Sequence, residues 1–102
     1  MVHLTIDRRA IEDFCQRWQI VELALFGSIL RDDFRPDSDV DVLATFAPDS
    51  HHGLLDLSRM ELELASIFGR KVDLVERAAV EQSKNHFRRA AVLGSLETIY
   101  AA

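Results

Sequence analysis

Apolar residues recur along this chain with two alternating periods, and the switches between them mark its elements. Ile11, Phe14, Cys15 and Trp18 fall at i, i+3, i+4 and i+7, the spacing of one helix face. Thr5 or Asp7 can cap that helix, and with Asp7 as the cap Ile6 and Ile11 form a hydrophobic staple. Val21 to Phe26 reads as a first strand, and Gly27 to Arg31 as a short helix leaving it. A polar loop from Asp32 to Asp37, with Pro36, leads to a second strand from Asp39 to Phe46, and Pro48 to Gly53 breaks the chain. Leu54, Leu57, Met60 or Glu61, Leu64, Ala65 and Phe68 then repeat at helical spacing, and Gly69 stands where a C′ glycine belongs. Lys71 to Glu76 is a third strand, with Val72 and Leu74 on one face and Asp73 on the other. Phe87, Ala90, Ala91 and Gly94 mark a last helix, capped by Asn85. The predicted order is α-β-α-β-α-β-α, which makes the fold class α/β (α+β): a small mixed β-sheet packed by helices.

Length and composition narrow what such a sheet can do. A chain of 102 residues without repeats, low-complexity segments or internal linkers predicts a single domain over residues 1–102. A hydrophobic content of 48% and a charged content of 28% are those of an ordinary soluble globular protein. The formal charge of −5 argues against direct nucleic-acid binding, which draws on a net basic surface. A lone cysteine, Cys15, excludes an internal disulfide and a cysteine-based zinc site. No apolar run approaches the ~20 residues that span a bilayer, and the N-terminus lacks the apolar core of a signal peptide. The expected setting is cytoplasmic, away from membranes. So small a domain leaves little room for an acceptor-binding module, so a transferred group would go to another macromolecule unless a dimer supplied the missing wall. Homo- or hetero-oligomeric assembly is compatible with that.

The candidate chemistry lies between Phe26 and Val42. Gly27 and Ser28 end the first strand, and after a ten-residue gap Asp39 and Asp41 flank Val40 in the second. Residues two apart on a strand share a face, so the Cβ atoms of the two aspartates lie roughly 6.6 Å apart. Like charges held that close repel, and a hard cation relieves them; Mg²⁺ is held by one or two carboxylates plus substrate phosphates. If the third strand pairs beside the second, Asp73 joins them at a Cβ separation of ~5 Å. Three converging carboxylates suit a phosphoryl-transfer site with two ions ~3.5–4 Å apart. Asp39 and Asp41 would bridge the ions, and Asp73 would ligate one and take a proton from the attacking hydroxyl. Gly27 and Ser28 would bind β and γ phosphates through backbone N–H groups and the serine hydroxyl, and Arg31 would add its guanidinium.

These residues resemble a known family. Phe26-Gly27-Ser28, Arg31, Asp33 and the run from Pro36 to Val42 look like the minimal nucleotidyltransferases of the DNA polymerase β-like superfamily, whose pattern is Gly-Ser followed about a dozen residues on by Asp-hydrophobic-Asp. Gly69 to Val75 is similar to that family's third-carboxylate strand, and Arg88-Arg89 and Ile99-Tyr100-Ala101 to its tail. The chain departs from the pattern at Ile29, Leu30 and Asp32, where the family often has small or basic residues and a glycine. The resemblance implies the polymerase β-like nucleotidyltransferase fold. It also implies an antitoxin of the HEPN/MNT toxin–antitoxin type, which moves AMP from ATP to a tyrosine of a HEPN-domain ribonuclease toxin. Implied with it are Mg²⁺, ATP as substrate and the HEPN toxin as partner. Two other readings of the same residues are a catalytically silent antitoxin that neutralises by binding, and a transferase acting on a small molecule of the aminoglycoside type.

Each feature also has a plainer reading. Paired aspartates can guard the solvent face of an edge strand, Gly27-Ser28 can be a turn with a helix cap, and Arg31 can pair with Asp33 or Asp37. His51, His52 and His86 read as exposed loop or surface residues, Lys84, Arg88 and Arg89 as a solvated or partner-facing helix, and Leu54 to Phe68 as core.

Overall fold

The computed structural model of the chain describes residues 6–30 and 39–102. Thr5, Arg31 and the loop residues Asp32, Asp33, Pro36, Asp37 and Ser38 lie outside the described residues. The first helix, α1 (Arg8–Arg17), begins at Asp7, whose Oδ1 accepts the Ala10 N–H at 3.2 Å and satisfies one of the amides a helix start leaves unpaired. Its buried stripe is Ile11, Phe14 and Cys15, and Ile6 packs against the same core.

Strand β1 (Ile20–Phe26) runs into a short 3₁₀ helix, Gly27–Leu30, where a short helix is expected from the sequence. After it come β2 (Val40–Phe46), α2 (Leu54–Phe68) and β3 (Val72–Glu76), then α3 (Arg77–Glu81), α4 (His86–Leu93) and β4 (Glu97–Ala101). The α2 helix ends on Gly69 at φ 70°, whose N–H donates to the Ala65 carbonyl at 2.8 Å. Across the sheet the order is β3-β2-β1-β4. β1 pairs antiparallel with both β2 and β4, and β2 pairs parallel with β3.

Alternation along the strands gives the sheet two different faces. On one, Leu23, Leu25, Val40, Val42, Val72 and Ile99 join Ile11 and Phe14 of α1 and Met60, Leu64 and Phe68 of α2 in the main core. On the other, Phe26 and Leu43 pack with Val80 of α3 and Val92 of α4, with Val75, Leu93 and Leu96 around them. Asp41 and Asp73 stand one alternation before Leu43 and Val75, so they share this second face.

The mixed, helix-packed sheet matches the expected fold class, but the expected element order lacks α3 and β4. Five-residue α3 is too short to show a helical period, and β4 gains its identity from pairing with β1. Four side chains placed in apolar stripes by periodicity are exposed instead: Leu54 at 83%, Phe87 at 91%, and Ala90 and Ala91. Leu54 sits in the first turn of α2, which makes core contact from Leu57 on, and α4 turns Val92 and Leu93 inward in place of the stripe that starts at Phe87.

Candidate active site

Parallel pairing of β2 with β3 sets the carboxylates. The register runs Val40 opposite Val72, Asp41 opposite Asp73, and Val42 opposite Leu74, and the Val40 N–H donates to the Lys71 carbonyl at 2.9 Å where the ladder starts. Val40 and Val42 are fully buried, which commits β2 to this register, because a one-residue slip would bury Asp41 and expose the valines. Directly paired residues of neighbouring strands project from the same face, on strands about 4.8 Å apart. The condition on which the sequence reading of Asp73 depended, strand three beside strand two, is thus met. Asp41 is half-buried and Asp73 exposed. Asp39 is exposed and directly precedes β2, which begins one residue later than expected, so it flanks the ladder instead of lying in it.

Gly27 supplies the other wall. Its backbone is left-handed, φ 76°, and a Cβ built on it would collide with the carboxylate of Asp41. The absent side chain is therefore the space the Asp41 carboxylate occupies, and glycine is required twice over: for the dihedral and for the room. Phe26, opposite Asp41 in the antiparallel ladder, belongs to the apolar cluster under α3 and α4 and forms a dry neighbour to the carboxylate. The sequence marks Phe26 as the end of a strand and the first residue of the Phe-Gly-Ser motif; its packing beside Asp41 follows from the strand pairing. The backbone of Ser28 lies in the 3₁₀ turn, while its hydroxyl, like Arg31, lies outside what is described.

Among the described residues no group of three or more His, Cys, Asp or Glu side chains forms a ready-made metal cage. The donor set does fit Mg²⁺: two hard oxygen ligands at one register level, one of them seated against Gly27. Mg²⁺ takes one or two carboxylates and completes its octahedron with water and substrate phosphates.

A cleft among the described residues lies elsewhere. It encloses about 460 Å³ between Phe46, Ser50, His51, His52, Gly53 and Glu76, at the opposite ends of β2 and β3 from Asp41 and Asp73. His52 is not the exposed loop residue its setting suggests. Its ring packs 4.7 Å from Phe46 and 5.9 Å from Trp18, its Nδ1 lies 4.0 Å from the Asp56 carboxylate, and its buried Nε2 has no hydrogen-bond partner among the described residues. Apolar surface from two aromatic rings draws it in, although its neighbours in sequence are polar. His51 and His86 are exposed, as expected. No helix among the described residues is long and apolar enough to cross a membrane.

Comparison with known proteins bears on the family and the fold. The family pattern described as a nucleotidyltransferase domain matches residues 7–96. The protein adenylyltransferase MntA of Thermococcus cleftensis is 33% identical over 66 residues, a match that covers 65% of this chain and 65% of that relative, just under two thirds of its length. Among solved structures, a toxin–antitoxin with AMP-PNP superposes with a TM-score of 0.71 at 17% identity, over 95% of this chain and 75% of the other. A tri-AMPylated Shewanella oneidensis HEPN toxin in complex with MNT antitoxin gives a TM-score of 0.63 at 18% identity, over 93% and 70%. At these identities the two structures establish the fold.

Proposed function

Because this chain belongs to the nucleotidyltransferase domain family, we propose that it is the antitoxin enzyme of a HEPN/MNT pair, moving AMP from ATP to a tyrosine hydroxyl of its toxin. The observation that carries the reading is the in-register pair Asp41–Asp73 beside the side-chain-free Gly27. The name of the Thermococcus relative and the AMPylated toxin bound to an MNT antitoxin support the substrate and the partner. The proposal takes residues 1–102 as one nucleotidyltransferase domain working in the cytoplasm, where a buried free thiol such as Cys15 stays reduced.

In this reading Asp39, Asp41 and Asp73 hold Mg²⁺, which supplies positive charge against the carboxylates and the triphosphate. The backbone N–H groups of Gly27 and Ser28 would receive the phosphate chain, and the Ser28 hydroxyl and the Arg31 guanidinium would donate further hydrogen bonds to it. Asp73, exposed where its ladder partner Asp41 is half-buried, accepts the proton of the incoming hydroxyl. The acceptor oxygen forms its bond to the α-phosphorus, the bond from that phosphorus to the bridging oxygen breaks, and pyrophosphate leaves with the electron pair. The exposed face beside Asp73 is what admits an acceptor carried on another protein.

Intact mass spectrometry of the toxin, incubated with ATP, Mg²⁺ and sub-stoichiometric antitoxin, tests this. Catalysis is expected to add discrete AMP increments to many toxin molecules per antitoxin, and the Asp39→Asn/Asp41→Asn double variant is expected to add none and to leave cells unprotected. Protection by that double variant equal to wild type would establish neutralisation by binding alone. AMP transfer to aminoglycosides with none to the toxin would establish the small-molecule reading.

A further inference from the structure

We propose that Glu61 is a positioning residue for Asp73, an inference that rests on the catalytic reading above. Among the described residues β3 is an edge strand, held by β2 on one side. On its open side the Leu74 N–H donates to Glu61 Oε2 at 2.7 Å. The clamped peptide is the one that joins Asp73 to Leu74. A charge-assisted hydrogen bond there fixes the tilt of that peptide about the strand axis, and so the direction in which the Asp73 carboxylate leaves the sheet. Without it a five-residue edge strand can twist away from its single partner and carry Asp73 away from Asp41.

Glu61 is itself well anchored. It sits in α2 between Met60 and Leu64, both fully buried in the main core. It is also an anomaly of pattern, because position 61 falls i+4 from Leu57 and i+7 from Leu54, where the helical period calls for an apolar residue. Its carboxylate crosses the gap between α2 and the sheet edge, beside a groove of about 280 Å³ lined also by Leu62, Ala65, Lys71 and Val72. A leucine there would bury more apolar surface but leave the edge amide beside Asp73 without its acceptor.

The test combines amide hydrogen exchange at Leu74 with Mg²⁺ titration and transfer kinetics for Glu61→Ala and Glu61→Gln, beside Asp73→Asn. Glu61→Gln keeps a carbonyl acceptor, so exchange within about threefold of wild type and near-normal kcat are expected. Glu61→Ala is expected to speed Leu74 exchange at least about tenfold, weaken Mg²⁺ binding and lower kcat about ten- to hundredfold with KM for ATP within about twofold, the mark of a misplaced group. Faster exchange with unchanged kcat and Mg²⁺ affinity would make Glu61 a cap of the sheet edge and nothing more, and unchanged exchange would remove the clamp altogether; either overturns the proposal. Full activity of Asp73→Asn would instead overturn the catalytic reading of Asp73, a failure recognisable because the exchange result at Leu74 does not depend on it.

Discussion

Gly27 and Gly69 share a backbone state and differ in surroundings, which makes them a matched pair. Both are left-handed, at φ 76° and 70°, but a Cβ on Gly69 meets nothing within 4 Å while one on Gly27 meets the Asp41 carboxylate. Gly69→Ala is expected to cost about 1 kcal/mol, the conformational penalty alone, and to leave transfer activity intact. Gly27→Ala is expected to cost more than Gly69→Ala in a urea melt and to lower transfer at least about a hundredfold, because the carboxylate must move by roughly the 1 Å that positioning does not tolerate. Equal losses for the two variants would mean that Asp41 is not seated against Gly27. Cys15 offers a second residue-scale prediction. Burial pushes its thiol up to about 12, so it stays neutral in the fold while the unfolded chain ionises near 8.5. The raised value makes its contribution complete below about pH 8.5 and lost progressively as pH rises from there toward 12. Melting temperature against pH should fall more steeply above pH 8.5 for wild type than for Cys15→Ala.

At the scale of elements, a polar clasp ties α1 to α2. Glu63 of α2 accepts from the Arg17 guanidinium and from the Trp18 indole N–H at 2.9 Å. Burial alone raises the Glu63 carboxyl, but the hydrogen bonds from Arg17 and Trp18 and the charge of Arg17 together carry it below its usual value. A depressed carboxylate stabilises the fold above its unfolded pKa, near 4.3, and that contribution disappears as pH falls through the lower folded value. Glu63→Ala should therefore melt below wild type at pH 7, with the gap closing once the pH drops below about 4. β4 makes a different element-scale case. Of its residues Glu97 to Ala101 only Ile99 is buried, joining the main core at 8% exposure. Ile99→Ala is expected to cost about 2–4 kcal/mol in urea denaturation, a core-sized loss from a strand that the sequence marked only by its likeness to a family tail. The longest element was the most legible: α2 runs from Leu54 to Phe68 with Gly69 after it, as its apolar period and its glycine require.

For the whole molecule, the acidic pair couples folding to ligand. Asp41 and Asp73 are held side by side by pairing that the buried valines enforce, so the charges are a cost the core bears. Mg²⁺ with ATP should raise the melting temperature, by an amount equivalent to about 2.7 kcal/mol at a hundred times the dissociation constant. Asp73→Asn should melt at or above the wild-type temperature without Mg²⁺ and lose most of the Mg²⁺–ATP response; an undiminished response would place the ligand elsewhere, with the 460 Å³ cleft around His52 as the next site to probe.

The chain by itself determined what is local. Period, caps and breakers lie within a few consecutive residues, so α1, α2, the first three strands, Gly69 and the side-by-side potential of Asp39, Asp41 and Asp73 could be read directly. Only the tertiary structure decided what depends on partners distant in sequence. It paired β3 parallel to β2 and so brought Asp73 opposite Asp41, 32 positions apart. It set β4 against β1, turned Leu54 and Phe87 outward, and drew His52 between Trp18 and Phe46. It also gave Gly27 a second reason to be glycine. A turn explains its dihedral from sequence alone, but the carboxylate that fills the place of its side chain arrives from the neighbouring strand, and sheet register is a non-local choice made by the whole core.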